Sequence, residues 1–405
     1  MKKNDFSMLP AATARAIEDA MSMYGTKTYE WLAGLWEPEI GGFYYSNSGR
    51  DYEGFLPDIE STCQALHQVQ TLGMMDHCGK DLRRGLPIEM QKKVLNFAQS
   101  LQAEDGFFYH PQWGREIPVP RKGRDYEWGR DIITELGGEF KYPLVSEQIK
   151  EKGTKTENLP EYMKSKEALV EYLDSFDIMH NSYRMGGTLG CQLFQIRQLG
   201  MLDICLDYYK EHQNKNNGVW QDSVNYHAVN GLMKIAGVFV TYGPFPNYDK
   251  AIDSCMEVML SDEVPKAVVD FFNPWRAALE ILDSLRNQGM EEEAAAQQAK
   301  IMANSAALIN KTSEKMRDFI KPDGSVSYFR NFTSSESQRV KVALYQEPEG
   351  DVNATGLAIG GSIKRPLEVL GVKNVGLYDE SDFKRFLDLI AKQKPPVKKP
   401  RPEGR

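Results

Sequence analysis

The sequence predicts an all-α fold built from repeated helical hairpins, and three observations carry that prediction. Apolar residues recur three and four positions apart over most of the chain, which is the spacing of one buried helix face. A turn of glycine and aromatic residues also recurs, followed by a segment that opens on a short polar residue. Strand-like alternation is rare, although residues 43–45 and 326–329 suit short β-ribbons.

The recurring turn and helix select an architecture, because a repeated hairpin buries its apolar face only against neighbouring copies. Each copy places two or three apolar or aromatic residues after a glycine, and the polar residue that opens the helix follows them in the sequence. The copies are residues 41–45 before Asp58, residues 217–220 before Asp222, and residues 323–329 before Asp351, with residues 105–109 as a turn alone.

The predicted helices have sensible ends. Asp58 and Asp351 can accept hydrogen bonds from the first turns of their helices, and acidic residues there suit the helix dipole. Pro87 suits a first helical position, whereas Gly73 and Gly200 are typical helix stops. The predicted helices are 12–33, 58–72, 87–103, 160–174, 186–200, 222–240, 248–260, 274–288, 291–319 and 351–370.

Two stretches interrupt the helical pattern of a single predicted domain, residues 1–393. Residues 114–160 are rich in glycine and proline but include Tyr126, Trp128 and Tyr142, which is typical of an ordered binding loop or lid. Residues 334–350 form a second predicted loop. Residues 394–405 are charged and rich in proline, so we expect a disordered tail.

Composition narrows the functional classes. The chain has 405 residues and a net charge of -8. It lacks the dense basic block that a nucleic-acid partner usually requires, so we do not expect such a partner. No apolar run is long enough to span a bilayer, and none follows Met1 as a secretory signal would. Five cysteines without a close pair suit reduced thiols. We therefore expect a cytoplasmic protein.

The units of turn and helix resemble the α/α-toroid superfamily over roughly residues 10–390. That superfamily includes terpenoid cyclases, protein prenyltransferases, six-hairpin glycosidases, sugar epimerases and several polysaccharide lyases. The resemblance implies a barrel of helical hairpins with short β-ribbons in the turns. It also implies an active-site pocket at the mouth of the barrel where the inner helices begin.

The densest polar constellation runs from His180 to Arg184. On a helical turn, His180, Tyr183 and Arg184 would project to one side, with Asn181 beside them. Abstraction of a proton next to a carboxylate needs a cation or amide on the acid group and a histidine or tyrosine to move the proton. The resemblance to toroid lyases implies the same residue types, although the spacing here differs from theirs.

A second polar group lies at the start of the helix predicted at 222–240. His227 follows Asn225 there, and Trp220 and Asp222 precede it. We expect these residues at the same mouth as His180. A lone histidine in an apolar helix is more often a satisfied core residue, and that alternative stays open.

Carboxylates supply a third set of candidates, namely Asp58, Glu60, Asp222 and Asp351. Glycoside hydrolysis uses two carboxyl groups across the scissile bond, one of them kept protonated by its surroundings. Helix capping explains Asp58 and Asp351 equally well. Glu60 is harder to explain as a cap.

Aromatic residues cluster at the turns and loops, where they can stack on sugar faces or pack within the fold. The sequence therefore predicts substrate contacts from Tyr45, Tyr109, Trp113, Trp128, Asn181, Trp220, Asn225 and Tyr328.

The leading functional prediction is a carbohydrate-active enzyme that cleaves a glycan or oligosaccharide by hydrolysis or β-elimination, without metal or cofactor. A terpenoid-cyclase-like or prenyltransferase-like protein that binds an apolar isoprenoid chain is the first alternative, although the Asp-x-Asp-Asp and Asp-Asp-x-x-Asp motifs are missing. A non-catalytic scaffold is the second. The polarity of the cavity lining distinguishes these functions, because a cyclase needs an apolar cavity and a sugar enzyme needs a polar one.

Overall fold

Helices predominate in the computed structural model, which describes residues 2, 4–145, 147–148, 160–190 and 192–402. The strands in these residues are two short antiparallel pairs, so the all-α class is confirmed. The helices are α1 Ala11–Ser22, α2 Thr26–Gly34, α3 Asn47–Asp51, α4 Ile59–Thr71, α5 Leu82–Gly85, α6 Ile88–Leu101, α7 Val119–Glu135, α8 Lys166–Asp174, α9 Ile178–Gly190, α10 Leu193–Gln198, α11 Leu202–His212, α12 Tyr226–Tyr242, α13 Tyr248–Leu260, α14 Val269–Asn287, α15 Glu291–Met316, α16 Val352–Ile359, α17 Arg365–Val369 and α18 Glu380–Lys392. A π-helical turn, Gly360–Lys364, joins α16 to α17.

The strands form two ribbons, β1 (Trp36–Glu37) with β2 (Gly42–Phe43), and β3 (Glu336–Ser337) with β4 (Val340–Lys341). The first ribbon confirms a strand at the predicted 43–45 turn. Around 326–329 the backbone forms only isolated bridges.

The predicted helix caps at the two aspartates are confirmed. Asp58 Oδ1 accepts a hydrogen bond from the Ser61 backbone N–H at 3.0 Å, and Asp351 Oδ1 accepts one from Ala354 at 2.7 Å. Both carboxylates are buried, so each satisfies a backbone donor that water cannot reach.

The prediction of a loop over 114–160 is wrong for residues 119–135, which form α7. Pro118 and Pro120 lie at the start of this helix, where a missing backbone N–H costs nothing. Gly129 lies against the ring of Phe108, because its missing side chain lets the helix approach closely. The glycines and prolines thus belong to a helix start and a packing contact. Residues 146 and 149–159 of the predicted loop lie outside the described residues.

The prediction of a disordered tail is also wrong as far as residue 402. Lys398 Nζ donates to the carbonyl oxygens of Gly49, Tyr52 and Phe55 at 3.2, 3.2 and 2.6 Å. The Lys399 backbone forms hydrogen bonds with Asp51 and with the residues that follow Asp51, as an edge strand would. Proline keeps this segment extended, and extended backbone can dock by its own carbonyl and amide groups. Residues 403–405 of the predicted tail lie outside the described residues.

Six helices follow one another by direct packing, in the order α7, α4, α16, α14, α12 and α9. Other helices cover these six. Helix α6 packs against α7, and both α13 and α15 pack against α14. The approach of α12 to α9 is close, since a Cβ at Gly231 would lie 1.8 Å from Ser182 Oγ. Among the described residues, we find no helix both long and apolar enough to cross a membrane.

Candidate functional site

A cavity of about 910 Å³ is lined by residues from all six of these helices and by the β3–β4 hairpin. On α4 the lining extends from Glu60 to Thr71, and on α14 from Val269 to Glu280. At 1.5 Å of rise per residue, the cavity follows each helix for about 15 Å. Most of its lining side chains are charged or polar, and aromatic rings lie among them. A polar interior of this kind is typical of a ligand site rather than of a packing defect.

Glu60 lies in the first turn of α4, where its carboxylate faces the cavity. Its oxygens accept hydrogen bonds from Arg121 Nη1 at 3.1 Å and from Arg124 Nη1 at 2.6 Å. Ser337 Oγ and Gln64 Nε2 also donate to it, at 2.8 and 3.2 Å. Two of these four donors are cationic, and charge-assisted hydrogen bonds of this kind fix the position of the carboxyl group.

Beneath Glu60, the fully buried Arg121 holds three carboxylates together. Its Nη2 atom lies 2.9 Å from both Asp58 Oδ1 and Asp125 Oδ1, and its Nη1 atom contacts Glu60. Burial raises the pKa of Asp125 to about 7, against the opposing effect of Arg121. The ring of Trp113 covers the guanidinium at 4.4 Å. This cluster fixes α7 against the start of α4 and so positions Glu60.

Glu280 supplies a second carboxyl group to the same cavity, from the middle of α14. Its side chain is 9% exposed, and its Oε1 atom accepts a hydrogen bond from Arg276 Nε at 2.5 Å. Burial raises the pKa of Glu280, and the cations of Arg276, Arg365 and Lys234 only partly oppose that effect. A protonated carboxyl group in a cavity can donate a proton to a ligand.

Several buried polar atoms of the lining residues have no hydrogen-bond partner within the described part of the chain. They are Gln64 Oε1, Trp128 Nε1, Glu280 Oε2 and Arg365 Nε. Buried polar atoms are nearly always paired in native proteins, so a group of exceptions around one cavity calls for an explanation. A polar ligand in the cavity would supply it.

His67 and Glu135 form a further titratable pair on the wall between α4 and α7. His67 Nε2 lies 3.4 Å from Glu135 Oε1, and Gln70 Nε2 donates to Glu135 Oε2 at 2.8 Å. The hydrogen bond with His67 lowers the pKa of Glu135. The His67 ring also meets Trp128 edge-on, with ring centres 5.7 Å apart.

Four of the sequence-predicted residues join Glu60 in the cavity lining, and all four are aromatic. They are Tyr45, Trp128, Tyr183 and Tyr328. Lys234 Nζ lies 5.2 Å from the ring centre of Tyr183. Burial raises the pKa of the Tyr45 hydroxyl, and its interaction with the Asp351 carboxylate adds to the shift. Asp351 thus caps α16 and also contacts a cavity tyrosine.

The β3–β4 hairpin covers one side of the cavity, within the predicted loop 334–350. Its tip residues Gln338 and Arg339 have φ angles of 50° and 71°, a left-handed conformation that favours glycine. Gln338 lines the cavity together with Ser334, Glu336 and Ser337. Non-glycine residues kept in this conformation beside a cavity are often functional.

The predicted proton-transfer set does not come together in the cavity. A break in helical geometry at Asn181 separates His180 from Tyr183, so the expected shared face is absent. The His180 side chain is 80% exposed and its Nδ1 atom contacts Asp177. His227 Nε2 contacts the His180 carbonyl oxygen at 2.9 Å. The two histidines are neighbours, but with Arg184 and Asn181 they lie on the surface outside the lining.

The remaining predicted site residues also lie outside the cavity lining. Trp220 is buried and donates to the Tyr209 carbonyl oxygen at 3.0 Å, and Asn225 caps α12. Asp222 is exposed. Tyr109 donates to Asp105 at 2.6 Å, and Trp113 donates to the Lys341 carbonyl oxygen at 3.1 Å. Asp58 and Asp351 act as the caps described above.

Sequence reasoning did not single out several cavity residues. The signal was a polar stripe at helical spacing along otherwise buried helices. On α4 and α14 the positions that were missed are Gln64, His67, Gln68, Thr71, Asn273, Arg276 and Glu280.

No three His, Cys, Asp or Glu side chains of the described residues are grouped as a metal site requires.

Comparisons of the chain with protein-family models, curated proteins and solved structures found no match.

Proposed function

We propose that the protein hydrolyses glycosidic bonds in the cavity beneath the β3–β4 hairpin. One observation carries this proposal: two carboxyl groups line a single polar cavity in opposite surroundings. Burial raises the pKa of Glu280, whereas cationic and hydroxyl donors surround Glu60. Such a difference between two carboxyl groups is what general acid and base roles require.

The architecture that we propose is an α/α toroid, with α4, α7, α9, α12, α14 and α16 as its inner helices. Their order of packing supports it, since each helix contacts the next. Arg124 of α7 and Tyr183 of α9 line the same cavity, which supports closure of the row into a ring. The starts of these helices then form the mouth, with Glu60 and Tyr45 beside it.

In this reaction Glu280 donates a proton to the leaving oxygen, and Glu60 acts on the opposite side of the sugar as base or nucleophile. Tyr45, Trp128, Tyr183 and Tyr328 provide flat faces on which sugar rings stack. The unpartnered atoms Gln64 Oε1 and Trp128 Nε1 bond to sugar hydroxyls.

The alternatives have less support. An isoprenoid chain would leave the charged groups of this cavity without compensation, which is costly. β-Elimination depended on His180, Tyr183 and Arg184 acting together, and only Tyr183 lines the cavity. A non-catalytic scaffold would give no reason for the unpartnered polar atoms to surround a single cavity.

The test is incubation of the purified protein with a panel of neutral and acidic oligosaccharides. New reducing ends and the ultraviolet absorbance of an unsaturated uronate are measured together. We expect reducing ends without that absorbance, and we expect the Glu280→Gln variant to produce none. Reducing ends with the absorbance would replace hydrolysis by β-elimination. Absence of both signals across the panel would contradict the proposal.

A further inference from the structure

The deep end of the cavity meets a second cavity, and basic side chains surround the junction. The second cavity has a volume of about 690 Å³ and shares Thr71, Leu72, Lys80 and Lys364 with the first. The junction therefore lies at the far end of α4 from Glu60. A ligand group held there would be about 15 Å from the mouth, by the rise of α4.

Four cations of the first cavity come from three segments of the chain, and two of them, Lys80 and Lys364, also line the second cavity. Lys364 ends the π-helical turn and Arg365 begins α17, while Arg276 comes from α14 and Lys80 from the connection after α4. The Arg365 guanidinium lies 5.5 Å from the ring centre of Phe272, which places it against α14. We call these four side chains the basic cluster.

Carboxylates pair with three of the four cations of the basic cluster, and one of those carboxylates is shared with a lysine outside it. Arg276 pairs with Glu280 and Arg365 pairs with Glu368. Lys80 Nζ lies 3.7 Å from Asp76, but that carboxylate is already held by Lys2 at 2.7 Å.

Lys364 forms no ion pair with any carboxylate of the described residues within 4.0 Å. Burial lowers the pKa of Lys364; nearby Arg365, Lys80 and Arg276 lower it further, and only Glu368 opposes them.

Two further observations indicate a ligand at the junction. Arg365 Nε is buried without a hydrogen-bond partner in the described residues. Lys80 has a φ angle of 63°, a left-handed conformation that a lysine seldom adopts. Strain of this kind persists where the surroundings determine it, and it is frequent at binding sites.

We propose that the basic cluster is a subsite for an oxyanion, namely the carboxylate, phosphate or sulfate group of a ligand that occupies the cavity. Arg365 and Arg276 present planar donors that match such a group, and Lys364 adds a point charge. The inference that the substrate carries an acidic group rests on the proposed function. The inference that the basic cluster binds an anion does not depend on that function.

The experiment titrates inorganic phosphate, sulfate and glucuronate separately into the wild-type protein by calorimetry, at constant ionic strength set with chloride. We expect saturable binding of at least one of the three, because their several oxygens match the planar donors of Arg276 and Arg365 and a spherical chloride ion does not. The preferred anion identifies the group: glucuronate indicates a uronate, and the other two indicate a phosphorylated or sulfated ligand. No saturable binding of any of them would overturn the proposal.

Variants locate the binding. Lys364→Met is expected to weaken it at least tenfold, whereas Lys384→Met, which removes an exposed lysine of α18, leaves it unchanged. If circular dichroism shows that Lys364→Met does not fold, Lys80→Met replaces it, because that side chain is 50% exposed. Unchanged affinity in the folded cluster variant would contradict the assignment.

Turnover is not needed for this measurement, so the two proposals fail separately. A protein that binds an anion through Lys364 but cleaves no glycan contradicts the hydrolysis alone. A protein that cleaves glycans but binds none of the three anions contradicts the basic cluster alone.

Discussion

Glu60 and Glu280 show how position on a helix decides the chemistry of one side-chain type. Glu60 lies in the first turn of α4, where α7 brings two arginines to it. Glu280 lies in the middle of α14, where its carboxyl oxygen Oε2 is buried and unpartnered. The same functional group therefore accepts hydrogen bonds from two arginines at one place and has its pKa raised by burial at the other.

We expect Glu280→Gln to lower kcat about 100-fold or more, because the amide cannot donate a carboxyl proton. In the wild type, activity falls as pH rises through the raised pKa of Glu280, and the variant loses that alkaline limb. The measurement is the pH dependence of kcat on a glycan that the wild type cleaves. Glu257→Gln, at an exposed position of α13, is the control; full activity in Glu280→Gln would remove this residue from the mechanism.

A pH dependence of stability follows from Glu349, which is buried beside Ser46 and Ser48. Burial raises the pKa of Glu349 to about 7, so its protonated form is favoured in the folded state. Its contribution to stability is therefore complete below pH about 4.5 and is lost as the pH rises through 7.

Between pH 8 and pH 5 we expect the free energy of unfolding of the wild type to rise relative to Glu349→Gln by on the order of 2 kcal/mol. Urea unfolding at several pH values measures this difference. Glu292→Gln, exposed in the first turn of α15, should parallel the wild type. Parallel pH curves for Glu349→Gln and the wild type would contradict the prediction.

The residue types of the site were predictable only where a local pattern marks them. Glu60 was identified because a cap did not explain it, and Tyr45, Trp128 and Tyr328 because aromatic residues marked the turns and loops. Glu280 and Arg276 look like an ordinary ion pair four residues apart on a helix. Only the packing of α14 against α16 and α12 makes them cavity residues, and sequence spacing carries no information on that packing.

At the scale of elements, α7 forms a helix although its glycine and proline content argues against one. Glycine and proline are the strongest signals of a loop, yet α7 contains Pro120, Gly123 and Gly129. Burial on one side decides the outcome, because Arg121, Asp125, Ile132 and Ile133 face the interior. Tertiary packing of one face outweighs intrinsic propensity.

The two glycines inside α7 form a matched pair for mutation. A Cβ at Gly129 would lie 2.7 Å from the Phe108 ring, whereas one at Gly123 would meet nothing within 4 Å. We expect Gly129→Ala to destabilise the protein by about 1–3 kcal/mol through overpacking. Gly123→Ala should stabilise it by about 0.4–1 kcal/mol, because alanine loses less backbone entropy in a helix. Urea unfolding of both variants tests the pair, and equal shifts would contradict it.

At the scale of the whole molecule, Lys398 and Lys399 dock on α3 and on the connection that follows it. Lys398 reaches the carbonyl oxygens of residues 49, 52 and 55, and its Nζ atom lies 4.5 Å from the ring centre of Tyr44. This contact joins segments more than 340 residues apart. No local pattern predicts such a contact, and this is why composition alone suggested disorder.

Lys398→Met is expected to lower the free energy of unfolding by about 1–3 kcal/mol, because it leaves buried carbonyl oxygens without their donor. Thermal unfolding against Lys394→Met, an exposed lysine four residues earlier, measures the effect. Equal melting temperatures for the two variants would show that the tail contributes nothing to stability.

The repeats predicted helical hairpins, but neither the number of helices in the row nor their order followed from them. Repeated turns indicate hairpins, and hairpins can be arranged in several ways around a core. The order follows from close contacts such as Gly231 against Ser182, which depend on residues far apart in the sequence.

The buried cluster around Arg121 has an evolutionary consequence. Losing Arg121 would leave three buried carboxyl groups without the cation that they share, a penalty of about 3–5 kcal/mol and thus a large part of the stability of a typical domain. Drift at Arg121 is therefore blocked while Asp58, Glu60 and Asp125 all keep their carboxyl groups. Across descendants of this chain, the four positions should covary, either retaining all their charges or exchanging them together for an apolar set.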